Sequence, residues 1–191
     1  MKRIAACLAL LVSLAACAGI QDQPPKDLGE FRLGHNVVIA SKMQKGPVSR
    51  DATEEEWVSV LKTAVDQRFG GFEGDQLYHL GISVEGYMLA PPGVPVLYNP
   101  RSALILRVTA WDDTAGVKLN ETPEMFQVLE DTTKTSAISG SGNERTKEEQ
   151  MEGLAANAMD QIGEWLEEQH KENGWFDRKP ETEAAETTES G

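Results

Sequence analysis

Cysteine is almost missing from this chain: Cys7 and Cys17 are the only two in 191 residues. Histidine occurs three times, as His35, His79 and His170, and none of these makes a His-x-x-x-His or H-E-x-x-H pair. The common zinc frameworks are therefore excluded. No G-x-S-x-G elbow is present, and "GISVEG" and "SGSGNE" both miss it, so a serine hydrolase has no nucleophile signature. "GSGNERT" precedes a helix start, where backbone N–H groups can hold an anion, but it lacks a P-loop lysine and does not fit G-x-G-x-x-G. A flexible linker is its default reading. Basic residues are also few, 18 against 31 acids, for a net charge of −13. Such a chain is repelled by nucleic acid and by anionic lipid surfaces. Asp112, Asp113, Glu121 and Glu124 hold no EF-hand spacing, and their loop context suits a solvated turn better than calcium or paired-carboxylate glycosidase chemistry. No catalytic residue, metal or cofactor is expected.

Long apolar runs are lacking as well. The longest, Ile4 to Leu14, is interrupted by Ser13 and falls short of the roughly 20 residues that span a bilayer. Lys2 and Arg3 precede it, small residues follow, and Asp22, Pro24, Pro25 and Lys26 come soon after. A positive start, a short apolar core and a small-residue break mark a cleaved export signal. Leu14-Ala15-Ala16-Cys17 resembles the lipobox of bacterial lipoprotein precursors. The resemblance implies cleavage between Ala16 and Cys17, a diacylglycerol on the Cys17 thiol and usually an acylated new amino terminus. One acyl chain holds marginally, at roughly 0.8 kcal/mol per buried CH₂, whereas two or more anchor stably. The competing readings are an ordinary cleaved signal with an incidental cysteine, or an uncleaved anchor. Ala18 follows the cysteine where the family's inner-membrane retention signal has aspartate, which implies sorting to the periplasmic face of the outer membrane. Removal of Lys2 and Arg3 takes the charge from −13 to about −15 and leaves Cys17 as the one cysteine. No disulfide or cysteine nucleophile then remains.

The expected organisation is a signal at 1–16, a lipidated amino terminus and tether at 17–34, a domain at 35–176 and a disordered acidic tail at 177–191. Asn36 to Ala40 is a β-branched run and reads as a first strand. Thr53 and Glu56 form a capping box, followed by Trp57, Leu61, Ala64, Val65 and Phe69 at helical spacing, with Gly70 and Gly71 as the stop. "LYHLGISVEGYMLA" alternates, placing Tyr78, Leu80, Ile82, Val84 and Met88 inward and His79, Ser83 and Glu85 outward. "SALILRVTAWDD" repeats the pattern with Leu104, Leu106, Val108 and Ala110 inward. A turn at Ala115-Gly116 leads to a strand over Met125 to Glu130. Thr146 and Glu149 form a second capping box before a long amphipathic helix that runs to about Glu172, and Asn173-Gly174 stops it. The order β-α-β-β-β-α predicts an α+β fold: a single, mainly antiparallel sheet with two amphipathic helices on one face. In element order it is similar to the small envelope lipoprotein domains of the curli-export and TolB amino-terminal kind. The "YHLGISVEGYMLAPPGVPV" and "SALILRVTAWDD" segments resemble uncharacterised alphaproteobacterial envelope lipoproteins, a likeness that implies no activity.

Between the two longest strands lies "PPGVPVLYNPR", which is too long for a tight turn and predicts a projecting, proline-stiffened loop. Val94, Val96, Leu97 and Tyr98 are its candidate partner-contact residues, because ordering such a loop on binding costs little entropy. The alternative is that the loop folds down over the core end. The expected function is a non-enzymatic, lipid-anchored domain that contacts another envelope protein. A second reading is a small-ligand binder with a pocket lined by Tyr87, Tyr98 and Trp111. A hydrolase would need His79, Glu85 and a serine in one cleft. From residue 144 onward fourteen acids face five bases, a solvated acidic surface or a docking surface for a basic partner. Intact mass of the membrane fraction tests the anchor. The expected product begins at residue 17 and carries acyl groups, and Cys17→Ser loses them.

Overall fold

The computed structural model describes residues 26–92, 101–131 and 141–178. The elements, in chain order, are β1 (Phe31–Ile39), β2 (Gln44–Lys45), α1 (Glu54–Phe69), β3 (Gln76–Met88), β4 (Ala103–Asp112), β5 (Val117–Lys118), β6 (Glu124–Leu129), α2 (Ser141–Glu144) and α3 (Lys147–Asn173). β3 and β4 form the central antiparallel pair. β1 lies parallel to β3 on its other side, and β2 continues that edge. β6 pairs antiparallel with the far side of β4, where β5 extends it. The fold is α+β as expected. Its sheet is mixed, because the α1 crossover carries the chain back to the starting end before β3 begins, and this makes β1 and β3 parallel.

The folded part also begins before residue 35. Leu28 is buried, β1 starts at Phe31, and Lys26 sits 3.6 Å from both Glu164 and Glu167 of α3. Alternation fails as a signal here because β1 carries one extra residue between Leu33 and Asn36, a bulge that shifts the phase of the strand. A second bulge, at Glu85, corrects the reading of Met88. Val84 pairs with Leu106 but Gly86 pairs with Ile105, so Tyr87 turns inward and Met88 turns out. β6 begins one residue earlier and ends one residue earlier than the apolar pattern indicates.

Both capping boxes are formed. Thr53 and Thr146 accept from the Glu56 and Glu149 amides, and each glutamate accepts from its threonine amide in return. Gly174, at φ 65°, ends α3 in the left-handed region that glycine enters without strain. Trp57, Leu61, Val65 and Phe69 form the buried stripe of α1, and Leu154, Ala158, Ile162 and Leu166 lie in that of α3. Both stripes pack on the sheet face built by Tyr78, Leu80, Ile82, Leu104, Leu106 and Val108. At the end where the chain enters, Phe31 meets Phe69, Phe72, Tyr78 and Phe176 at ring-centroid distances of 5.1 to 6.4 Å. Burial, with the Asp112 charge nearby, pushes the Tyr78 phenol up to about 12, so it stays a neutral donor to Gln76.

The amino termini of α1 and α3 are joined by an ion pair from Lys147 to Glu56. The Lys147 hydrogen bond, followed by the Thr53 amide, holds the Glu56 carboxyl below its ordinary value of 4.5. A carboxyl lowered on folding stabilises the fold above its unfolded pKa, and the contribution is lost as pH falls through the folded value. Lys147→Met should therefore lower the urea midpoint at pH 7 by the equivalent of less than about 1 kcal/mol, because both side chains are part-exposed. The gap from wild type should close by pH 3. A gap unchanged at pH 3 would assign the effect to packing.

Candidate functional site

The proline-bearing segment between β3 and β4 is rooted in a buried polar network. Ala90 closes the β3 side: its amide donates to the Ser102 hydroxyl at 3.1 Å, and its carbonyl accepts from Gln150 at 3.1 Å. Ser102 opens the β4 side, and its amide donates to Glu130 at 3.0 Å. The other oxygen of Glu130 accepts from Arg145, also at 3.0 Å, and the carboxylate itself is only 2% exposed. Arg50 donates to the carbonyls of Gly142 and Arg145 and so joins the loop before α1 to the start of α3. Gly142 packs so tightly that a Cβ there would lie 2.0 Å from the Pro91 carbonyl oxygen.

Residues from three distant parts of the sequence therefore clamp both ends of this loop. Buried polar groups cost free energy unless they are paired, so the network fixes the geometry of the loop ends as well as stabilising them. Pattern reading places Glu130 at a strand end and leaves Gln150 in a helix start, because hydrogen bonding across 60 residues leaves no local trace. The signal that was available is a glutamate directly after an apolar strand together with a glutamine on an otherwise apolar helix stripe.

The partner-contact residues Val94, Val96, Leu97 and Tyr98 lie outside the described residues, as do Ala16 and Cys17. Tyr87 and Trp111 are described, and they do not share a pocket. Tyr87 is buried under α1, where its hydroxyl donates to the Ala52 carbonyl at 3.0 Å and accepts from the Ala52 amide at 3.1 Å. Trp111 projects from the opposite face of the sheet, 38% exposed, with the Lys118 ammonium 5.3 Å from its ring centroid. The Glu85 bulge separates them, since it reverses the facing of every β3 residue that follows.

His79 projects from that same outer face. Its Nδ1 accepts from the His35 amide at 2.8 Å, so the neutral ring carries its proton on Nε2, which donates to Asp113 at 2.8 Å. His35 stacks on it with a centroid distance of 5.0 Å. Both ring nitrogens are thus engaged in holding the β1 bulge against the turn after β4. Asp112 receives the Ala115 amide and closes that turn. Among the described residues no group of three metal-ligating side chains converges, and no helix is long and apolar enough to cross a membrane.

An open cleft of about 590 Å³ lies between β6 and the carboxyl-terminal half of α3. Phe126 and Trp165 meet edge to face at its floor, 5.8 Å between centroids, and Glu124, Glu164, Glu168 and Glu172 line its walls. A smaller hollow of about 310 Å³ continues it toward Leu129 and Asn157.

No protein-family model matches the chain, and no curated protein matches it. Among solved structures it is similar to protein XCC0632 from Xanthomonas campestris, described with family DUF330, at 12% identity and a TM-score of 0.49, over 80% of this chain and 92% of that one. A putative lipoprotein from Caulobacter crescentus is similar at 16% identity and a TM-score of 0.35, over 73% and 92%. A minor lipoprotein from Acinetobacter baumannii matches at 17% identity and a TM-score of 0.32, over 76% and 96%. These likenesses concern the course of the chain and assign no activity.

Removing Glu130 leaves Arg145 and the Ser102 amide without their acceptor. Glu130→Ala should destabilise the domain by about 3 kcal/mol, the lower end of the range for breaking a buried pair, because Arg145 keeps some exposure. Glu130→Gln should cost less, since it can still accept from Ser102. Urea denaturation midpoints of the two variants check the order.

Proposed function

We propose that this chain is a lipid-anchored lipoprotein of the cell envelope, without enzymatic activity, whose 91–101 loop contacts another envelope component. The anchor is Cys17, and Ala18 favours the periplasmic face of the outer membrane. The observation that carries the reading is polarity along β3. The chain enters the domain beside Gln76, where Leu28 is buried and Phe31 packs against Phe176, and the loop is rooted beyond Met88 at the other end. Thirteen residues of strand separate the two by roughly 40 Å.

From Cys17 to Lys26 the chain has nine residues to extend, at most about 30 Å. Such a tether keeps the Phe31 end near the lipid and turns the clamped loop toward the periplasm. A rigidly rooted loop presents its apolar residues to a partner with little further ordering, which is what favourable association needs. The acidic surface keeps the domain off anionic headgroups, so contact with a protein suits it better than contact with lipid.

The test is photocrosslinking in intact cells, with a photoreactive amino acid at position 94, 97 or 98 and, as a control, at Asp75 beside the tether. A discrete adduct from the loop positions but not from position 75 is expected. Deletion of residues 93–100 should abolish recovery of the same protein by affinity capture. Absence of an adduct from all three loop positions, or capture unaffected by the deletion, would overturn the reading.

A further inference from the structure

β6 is an edge strand: it pairs with β4, and no other described strand pairs with it. Its register decides which backbone groups face outward. The Glu130 amide donates to Ser102, so the pair 130/102 is hydrogen-bonded and the alternate pairs Val128/Leu104 and Phe126/Leu106 are too. The amides and carbonyls of Met125, Gln127 and Leu129 therefore point away from β4. One of these carbonyls, that of Leu129, accepts from Asn157 of α3 at 3.1 Å. Among the described residues no other hydrogen bond reaches this side of the strand.

The cleft lies directly along this edge. On its helix side, Asn157, Gln161, Glu164, Glu168 and Glu172 succeed one another at intervals of three and four residues, so they form one stripe facing β6. Glu164 is engaged by Lys26. Among the described residues, Glu124, Glu168 and Glu172 have no cationic partner. From Asn157 to Glu172 the stripe is about 22 Å long, and β6 extends roughly 20 Å, the length of a six-residue strand.

Spacing completes the match. Glu164, Glu168 and Glu172 rise about 6 Å apart along the helix, close to the ~6.7 Å between alternate residues of a strand. We infer that the β6 edge is a docking site for an extended basic segment of a partner protein, which adds to the sheet as a further strand and directs alternate Lys or Arg side chains onto the α3 carboxylates. Backbone hydrogen bonds to Met125 and Gln127 hold such a strand, and the acidic stripe sets its charge pattern. Its other side chains continue the outer sheet face beside Met125 and Leu129, which are 47% and 59% exposed. Charge selects against two occupants from this chain: the acidic residues after 178 and a second copy with net charge −13 are both repelled by the stripe. The inference does not rest on the reading of the 91–101 loop.

A seven-residue peptide alternating Lys or Arg with Thr or Val is the probe, titrated against the full chain in detergent with hydrogen exchange as a second readout. The expected result is saturable binding, with new exchange protection at the Met125 and Gln127 amides. N-methylation of the peptide amides that face β6 keeps every charge and should weaken binding at least tenfold. Glu168→Lys combined with Glu172→Lys should weaken it at least tenfold, and Glu148→Lys with Glu152→Lys, on the opposite half of α3, less than twofold. Equal binding of the methylated and parent peptides, or equal losses from both charge reversals, would reduce the site to unspecific attraction and overturn the inference. It would also fail if the two amides were already protected without peptide and lost that protection on dilution or on removal of residues 179–191, since a second copy or the tail would then occupy the edge.

Discussion

Among the described residues the sheet has helical cover on one face alone, and the rest of the structure follows from that. α1 lies over β1 and α3 over β6, and the two helices pack against each other. Their apolar stripes use up the inward side chains of β3 and β4, leaving Val37, Ile39, Ile105, Trp111, Met125 and Leu129 on a face that solvent reaches. An antiparallel pair tolerates this, because alternation lets one face be apolar and the other mixed. The mixing here is done by His79, Ser83, Arg107 and Gln127, with glycine at positions 81 and 86 of the central strand.

The two ends of the domain are held by different physics. At the entry end, rings do the work: Phe31, Tyr78, Phe176 and their neighbours bury large area and bring the two ends of the described chain together, with Arg178 paired to Glu30 outside them. At the loop end, hydrogen bonds do it, through Ala90, Ser102, Glu130, Arg145 and Gln150. An aromatic cluster tolerates small readjustments, whereas a buried carboxylate between an amide and a guanidinium requires its geometry to be kept. The stiffer device thus sits at the end whose loop is proposed to meet a partner, and the more compliant one sits at the end where the described chain begins.

Edges are the usual weakness of an open sheet, since unpaired amides and carbonyls invite other chains. In this protein the β6 edge runs beside a row of glutamates. Copies of an acidic chain are kept apart by such a row, while a basic strand is drawn to it. On the docking proposal, one arrangement of charge serves both to discourage self-association and to select a visitor.

Much of the architecture is local and was readable. The capping boxes at Thr53 and Thr146 declare themselves within four residues, and the stripes on α1 and α3 and the alternation in β3 and β4 follow from the spacing of apolar side chains. The resemblance of Leu14-Ala15-Ala16-Cys17 to a lipobox is likewise carried by four adjacent residues. What the pattern missed was non-local. The bulges at Gly34–His35 and Glu85 exist because partner strands hold the flanking residues in register, and they hid the start of β1 and reversed Met88 and Tyr87. The parallel course of β1, the pairing of Glu130 with Arg145, and the alignment of the α3 glutamates along the β6 edge all join residues far apart in sequence. Sequence by itself determined where the two long helices and the greater part of the longer strands lie and, up to the bulges, which of their faces seek burial, because those preferences act between near neighbours along the chain. Only the tertiary structure decided which side chains meet across elements, and so where the domain has a clamp, an open edge and a charged groove.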